Sequence, residues 1–146
     1  MGRRSRGDAG KSSRVIVVDS SAWIEFLRDT GSPVCVTVYD LLDGDVAICD
    51  AISMEILAGA RDEHHLAQLR GLLGRATVLP TTPLDYDQAA ALYRTCRRRG
   101  EPVRKLIDCL IASVALRAGA EVLHADAAFT ALARHTPLRL HAASTS

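Results

Sequence analysis

Four carboxylates, Asp19, Glu55, Asp108 and Asp126, stand where a doubly wound α/β chain would bring side chains together at one edge of its sheet. Asp19 follows the apolar run Val15-Ile16-Val17-Val18 and so falls at the carboxyl end of a first strand, where such folds build their sites. Asp126 comes just after Glu121-Val122-Leu123-His124, another short strand candidate, and Glu55 and Asp108 lie near the starts of helices entered from that same edge. Carboxylates gathered in this way cannot all stay ionised unaided, because repulsion and desolvation push protons onto them unless a cation compensates. A hard divalent metal with oxygen ligands is the natural partner.

Each acid has a plainer account. Asp19 and Asp126 sit where helix-capping residues sit, and Glu55 fits a solvated helix position. Asp108 is harder to dismiss: Leu106-Ile107 and Leu110-Ile111 surround it, and an acid among them wants a partner. Convergence of all four on one edge is not explained by the separate accounts. Ser20 and Ser21 flank Asp19, where a hydroxyl either holds a water or phosphate oxygen or simply caps the helix. His124 alternates with Asp126 and points to the same side of a strand, which suits a supporting or structural role. Asp62-Glu63-His64-His65 resembles a metal cluster, but adjacent helical positions splay apart, so an exposed helix start is expected.

The elements that would position these residues follow from pattern and punctuation. A strand at 14–19 leads into a helix at 21–28, and Ser32 caps a second helix that has Pro33 at its first position and runs to residue 42. A strand at 46–49 follows, then a helix capped by Asp50 that carries Glu55. A helix at 62–73 closes on Gly74, a third strand covers 76–79, and Thr82-Pro83 opens a helix over 84–99. The strongly apolar helix at 104–118 is expected to be sandwiched by other elements. A strand at 121–124, a helix at 127–134 and a candidate edge strand at 138–140 complete the series. Such alternation predicts an α/β three-layer sandwich: a central, mostly parallel sheet of four to five strands with helices on both faces. Trp23, Phe26 and Leu27 with Val34, Val38 and Leu41 read as core, or else as an apolar groove for a partner.

The chain has 146 residues, 48% of them apolar, enough for one core. One domain over 14–142 is expected, preceded by a flexible basic arm at 1–13 that is rich in Arg, Gly and Ser. Lys and Arg total 18 against 17 Asp and Glu, so the net charge of +1 gives no whole-molecule argument for nucleic acid. Distribution says more, because Arg94, Arg97, Arg98, Arg99, Arg104 and Lys105 crowd the approach to Asp108. A basic patch beside an acidic pocket suits a polyanion cut at a metal site, although a helix end also favours cations. Aromatic residues make up only 4%, too few for an extended stacking platform, so backbone contacts from Arg94, Arg97, Arg98, Arg99 and Lys105 are the expected source of affinity for a polyanion. The four cysteines show no C-x-x-C pairing, which predicts buried free thiols and a reducing compartment. With no membrane span and no signal-peptide core, a cytoplasmic protein is expected.

From these residues the chain resembles the PIN-domain ribonucleases, specifically the VapC-like toxins of type II toxin-antitoxin (VapBC) pairs. The resemblance covers roughly residues 15–140. It rests on V-V-D-S-S-A-W-I-E-F-L-R from Val17, E-I-L-A-G from Glu55, R-K-L-I-D-C-L-I-A-S-V-A-L-R-A-G from Arg104, and H-A-D-A-A-F from His124. It implies that Asp19, Glu55, Asp108 and Asp126 match the family's metal-binding acids and Ser20 its hydroxyl. Magnesium or manganese, endoribonuclease activity, a homodimer and a cognate VapB-like antitoxin are implied with them. Many relatives carry an acid directly before the last Phe, whereas this chain has Ala128 before Phe129. The expected reaction is hydrolysis of an RNA phosphodiester by a metal-activated water, with Asp19 and Asp108 as direct ligands and Glu55 and Asp126 completing the site or placing the water. Transfer, ribosomal and messenger RNA all stay open as substrates.

Two other classes compete. A phosphoaspartyl phosphatase also places an Asp after the first strand but needs a second one two residues on, where this chain has Ser21. A non-catalytic metal- or partner-binding module would use the acids without turnover.

Overall fold

The structure is a computed structural model that describes residues 15–145, so the basic arm read at 1–13 lies outside the described residues. Short β-branched runs form the centre: β1 (Ile16–Val18) and β2 (Val46–Ile48) are buried along their whole length. β3 (Thr77–Val78) and β4 (Glu121–Leu123) flank them in a parallel sheet of order β3-β2-β1-β4. Ile16 lies opposite Val46 on one side and Glu121 on the other, and Val18 lies opposite Leu123. The chain steps from β1 to β2 to β3 in one direction and then crosses back to place β4 on the far side of β1. The order therefore reverses between β1 and β4, and a crevice opens there at the carboxyl ends of the strands. Asp19 and the segment after β4 border that crevice.

Among the described residues seven helices cover the sheet in the three-layer arrangement that a buried parallel sheet requires. α1 (Ser20–Leu27) packs on α2 (Pro33–Leu41) and on α3 (Asp50–Ala58), which in turn meets α4 (Glu63–Leu73). α5 (Pro83–Arg98), α6 (Leu106–Ala118) and α7 (Ala127–His135) pack on one another. The expected sandwiching of α6 holds: Ile111, Ala112, Ser113, Val114 and Ala115 are buried in succession, so apolar surface is covered on every side of the helix. Trp23, Ile48, Ile52, Phe129 and Leu132 are among the largest fully buried side chains of the core. Each is worth about 1.5–3 kcal/mol of burial. Gly119 ends α6 with φ +68°, a conformation that lacks a Cβ penalty only for glycine, and Ala120 N–H reaches back to Ala115 O at 2.9 Å. That turn delivers the chain directly into β4.

Several boundaries differ from the sequence reading. The strand expected at 76–79 shrinks to Thr77–Val78, both exposed, because it is an edge strand with no neighbour on its outer side. Cys49 is the residue before α3, and Asp50 is its first helical residue, where its charge suits the helix dipole without capping. The edge strand at 138–140 reduces to one bridge, Leu140 with Val122, and the chain continues beside β4 as an irregular tail. Ser32 caps α2 as expected, accepting from Cys35 N at 3.1 Å. Trp23, Val34 and Val38 join the core, whereas Leu27 is exposed together with Ile24, Val36 and Tyr39. All four cysteines are buried and free. Among the described residues no helix is long and apolar enough to cross a membrane.

Candidate active site

Asp19 leaves β1 at the crevice, its N–H donating to Leu123 O of β4 at 3.0 Å. It is buried, and one carboxylate oxygen, Oδ2, caps α1 by accepting from Ser21 N at 3.0 Å and from the Ser21 hydroxyl at 2.6 Å. The other oxygen, Oδ1, is buried and has no hydrogen-bond partner among the described residues. Capping and ligation are therefore not alternatives here, since one oxygen caps and its twin remains available. Burial raises the pKa of Asp19, the Ser21 hydrogen bonds oppose that rise, and the negative charge of Glu55 adds to it.

Asp108 occupies the first turn of α6 and is buried, with Oδ2 unpartnered. Its pKa is pushed up to about 7, first by burial and next by the charge of Asp19, with smaller pushes from Asp126 and Glu55, while Lys105 pulls it down. The protonation of Asp108 thus feels the charges of the other three acids. Glu55, half-buried on α3, receives a short hydrogen bond from the Ser20 hydroxyl at Oε1. Ser20 therefore acts on Glu55, thirty-five positions away.

Asp126 caps α7, Oδ1 accepting from Ala128 N at 2.9 Å. His124 is buried and supports the same segment. Its Nδ1 accepts from Asp126 N at 3.1 Å and its ring lies 5.4 Å from that of Phe129. Burial lowers its pKa, and the neighbouring Asp126 opposes that shift. Ser21 has more to do than the sequence suggested, for its hydroxyl also accepts from Ala125 N at 2.9 Å and joins the end of β1 to the segment after β4. Asp62 caps α4 through His65 N at 2.7 Å, an exposed helix start as expected.

Arg94, Arg97, Arg98, Arg99 and Lys105 are all exposed. α5 and α6 pack together and are joined through residues 99–105, which sets the last turn of α5 and the first turn of α6 at the same end of the pair. Lys105, immediately before α6, is the cation whose charge reaches Asp108. The Arg97 guanidinium lies 5.6 Å from the centre of the Tyr93 ring. Glu101 ties this connection to the end of α7 through Arg134 and through His135 Nε2 at 2.8 Å.

Among the described residues no three His, Cys, Asp or Glu side chains stand in an arrangement that would hold a metal ion as it is. The donor chemistry nonetheless fits Mg²⁺ or Mn²⁺. Asp19 Oδ1 and Asp108 Oδ2 are buried oxygens without partners, and Mg²⁺ takes only one or two carboxylates directly and keeps several waters. A closed cage of three donors is not what that ion requires.

The fold is an α/β sandwich around an all-parallel sheet, with Asp19 at its topological switch point. The sequence matches the PIN domain over residues 16–135. It is 43% identical over 129 residues to VapC ribonuclease Mb1587 of Mycobacterium bovis, and equally to ribonuclease VapC11 of Mycobacterium tuberculosis, covering 86% of this chain and 96% of each relative. The fold is similar to that in the crystal structure of DNA-bound VapBC from Salmonella typhimurium, with a TM-score of 0.72 at 20% identity over 88% of this chain and 97% of that one. VapBC-1 from nontypeable Haemophilus influenzae gives 0.70 at 18% identity, over 87% of this chain and 96% of that one. The chain belongs to the PIN-domain family, in the group that holds these VapC ribonucleases.

Proposed function

We propose that the protein is a Mg²⁺- or Mn²⁺-dependent endoribonuclease, the cytoplasmic toxin of a toxin-antitoxin pair, held in check by a cognate VapB-like antitoxin and working as a homodimer. The observation that carries the catalytic reading is the pair of buried, unpartnered oxygens on Asp19 and Asp108 at the sheet's switch point. The 43% identity to proteins named as VapC ribonucleases supports the activity. Solved neighbours described as VapBC complexes support the antitoxin. Ile24, Leu27, Val36 and Tyr39 leave apolar surface on α1 and α2 of the kind that protein partners cover.

Asp19 and Asp108 would hold the cation, with Asp126 bordering it. A cation held there would supply Lewis acidity toward the scissile phosphate and lower the pKa of a bound water. Glu55, whose Oε1 accepts from the Ser20 hydroxyl, would orient the attacking water as a hydrogen-bond acceptor. Lys105 and the arginines at the end of α5 hold the RNA backbone by charge. The 2′-hydroxyl takes no part in this attack, so the cut RNA carries 5′-phosphate and 3′-hydroxyl ends.

The test is cleavage of RNA by the purified protein with Mg²⁺, Mn²⁺ or chelator, followed by analysis of the ends. Metal-dependent cleavage with 5′-phosphates is expected. Ends with 2′,3′-cyclic phosphates, or cleavage that persists in chelator, would overturn the mechanism; binding of RNA without cleavage would favour a non-catalytic module.

A further inference from the structure

The segment His124-Ala125-Asp126 runs on past the point where the β4 ladder ends, yet each of its three N–H groups has an acceptor, and each acceptor is a side chain. His124 N donates to Ser144 Oγ at 3.1 Å, Ala125 N to Ser21 Oγ at 2.9 Å, and Asp126 N to His124 Nδ1 at 3.1 Å. The carbonyl of His124 accepts from Thr145 N at 3.0 Å. From one side, then, the segment is held by α1, and from the other by the irregular tail after α7. Ser21 passes the restraint on, since the same hydroxyl donates to Asp19 Oδ2 at 2.6 Å. Ser144 completes the opposite side by donating to Val122 O at 3.3 Å, beside the His141 N–H that donates to the same carbonyl at 2.9 Å.

We propose that Ser21 and Ser144 are positioning residues that clamp the His124–Asp126 segment from its two sides and so fix the Asp126 carboxylate relative to Asp19. Neither serine touches the reacting phosphate in this account. Each acts through the backbone that carries Asp126. The physical reason is economy of freedom: an extended segment outside a ladder samples many conformations unless its polar groups are engaged. Hydroxyls that both donate and accept can engage two groups at once. The cap on Ala128 N orients the Asp126 carboxylate on its own helix, and the two clamps set where that helix start stands relative to Asp19. The functional half of this proposal rests on the reading of Asp19 and Asp126 as parts of a metal site.

The test uses the full chain and the variants Ser144→Ala, Ser144→Thr, Ser21→Ala and Asp126→Asn. Backbone amide exchange at 124–126 should quicken in both alanine variants while the buried helix α6 keeps its protection. Mn²⁺ affinity measured by calorimetry should fall about tenfold, the scale on which groups that orient ligands act, and Ser144→Thr should restore it. In an Asp126→Asn background Ser144→Ala should cost no further Mn²⁺ affinity, which a general loss of folding would not reproduce. Unchanged exchange at 124–126, or unchanged Mn²⁺ affinity in the alanine variants beside a binding wild type, overturns the proposal. A wild-type protein that binds no Mn²⁺ overturns the metal reading itself and the functional half of the proposal with it.

Discussion

The Ser20 hydroxyl donates to Glu55 Oε1, binding the first turn of α1 to the middle of α3 across the mouth of the crevice. One residue earlier, Asp19 caps the same helix. The start of α1 thus fixes two of the four acids together. Ser20→Ala frees Glu55 to rotate without opening the core, so turnover should fall about tenfold with little change in melting temperature. Ser20→Thr should recover most of the loss. Cleavage rates across a Mg²⁺ titration check this, and an unaltered rate in the alanine variant would count against Glu55 as the residue that orients the water.

Asp108 carries a pH signature. Its carboxyl ionises near 4 in the unfolded chain and at about 7 in the folded protein without metal. Between those values the unfolded chain has lost a proton that the folded protein keeps, so the Asp108 contribution to stability falls as pH rises from about 4 to about 7, then levels off. Thermal melts in chelator, wild type minus Asp108→Asn, should show that decline. Mg²⁺ added at pH 8 should raise the melting temperature of the wild type and not of the variant. A flat difference across the range would mean that Asp108 is ionised in the folded protein without help.

Arg117 near the end of α6 grips the buried Asp85 of α5 with Nε–Oδ1 and Nη2–Oδ2 contacts of 2.9 and 3.0 Å. Asp85 Oδ2 also accepts from Thr82 N at 2.7 Å. Asp85→Asn should destabilise the fold by about 2 kcal/mol, the usual worth of hydrogen bonds to a charged group. The exposure of Arg117 keeps the cost below that of a wholly buried pair. Urea unfolding measures it, and cleavage per folded molecule should be unchanged, since this pair lies away from the acids in the chemistry proposed.

Replacing Arg97, Arg98 and Arg99 by alanine should raise the KM for RNA and leave kcat nearly intact, because these exposed groups meet the backbone rather than the reacting phosphate. The dependence of log affinity on log salt should become shallower by about 2, near 0.7 for each single-strand phosphate contact removed. Unchanged salt dependence would move the RNA path elsewhere.

Much of the arrangement is legible along the chain because its causes are local. Asp19 is recognisable from the apolar run before it, and Asp108 from the apolar neighbours that make its charge costly. Ser32-Pro33 and Thr82-Pro83 announce their helices through backbone chemistry alone. What the sequence hides is set by pairing at a distance. β3 is shorter than its apolar run because nothing pairs beyond it. Ser144 reveals nothing by type or spacing, since its partner is twenty residues away on the edge of β4. Ser21 looks like one more cap residue until the fold brings Ala125 N to it across 104 positions.

The central claim, that the gathered acids cut RNA, meets its most direct test in the 5′-end map of total RNA after brief expression of the wild type and of Asp108→Asn in matched cells. A discrete set of new 5′-phosphate ends that vanishes in the variant is expected, and it would name the substrate at the same time. The same new ends in both, with the variant expressed and folded, would contradict the account.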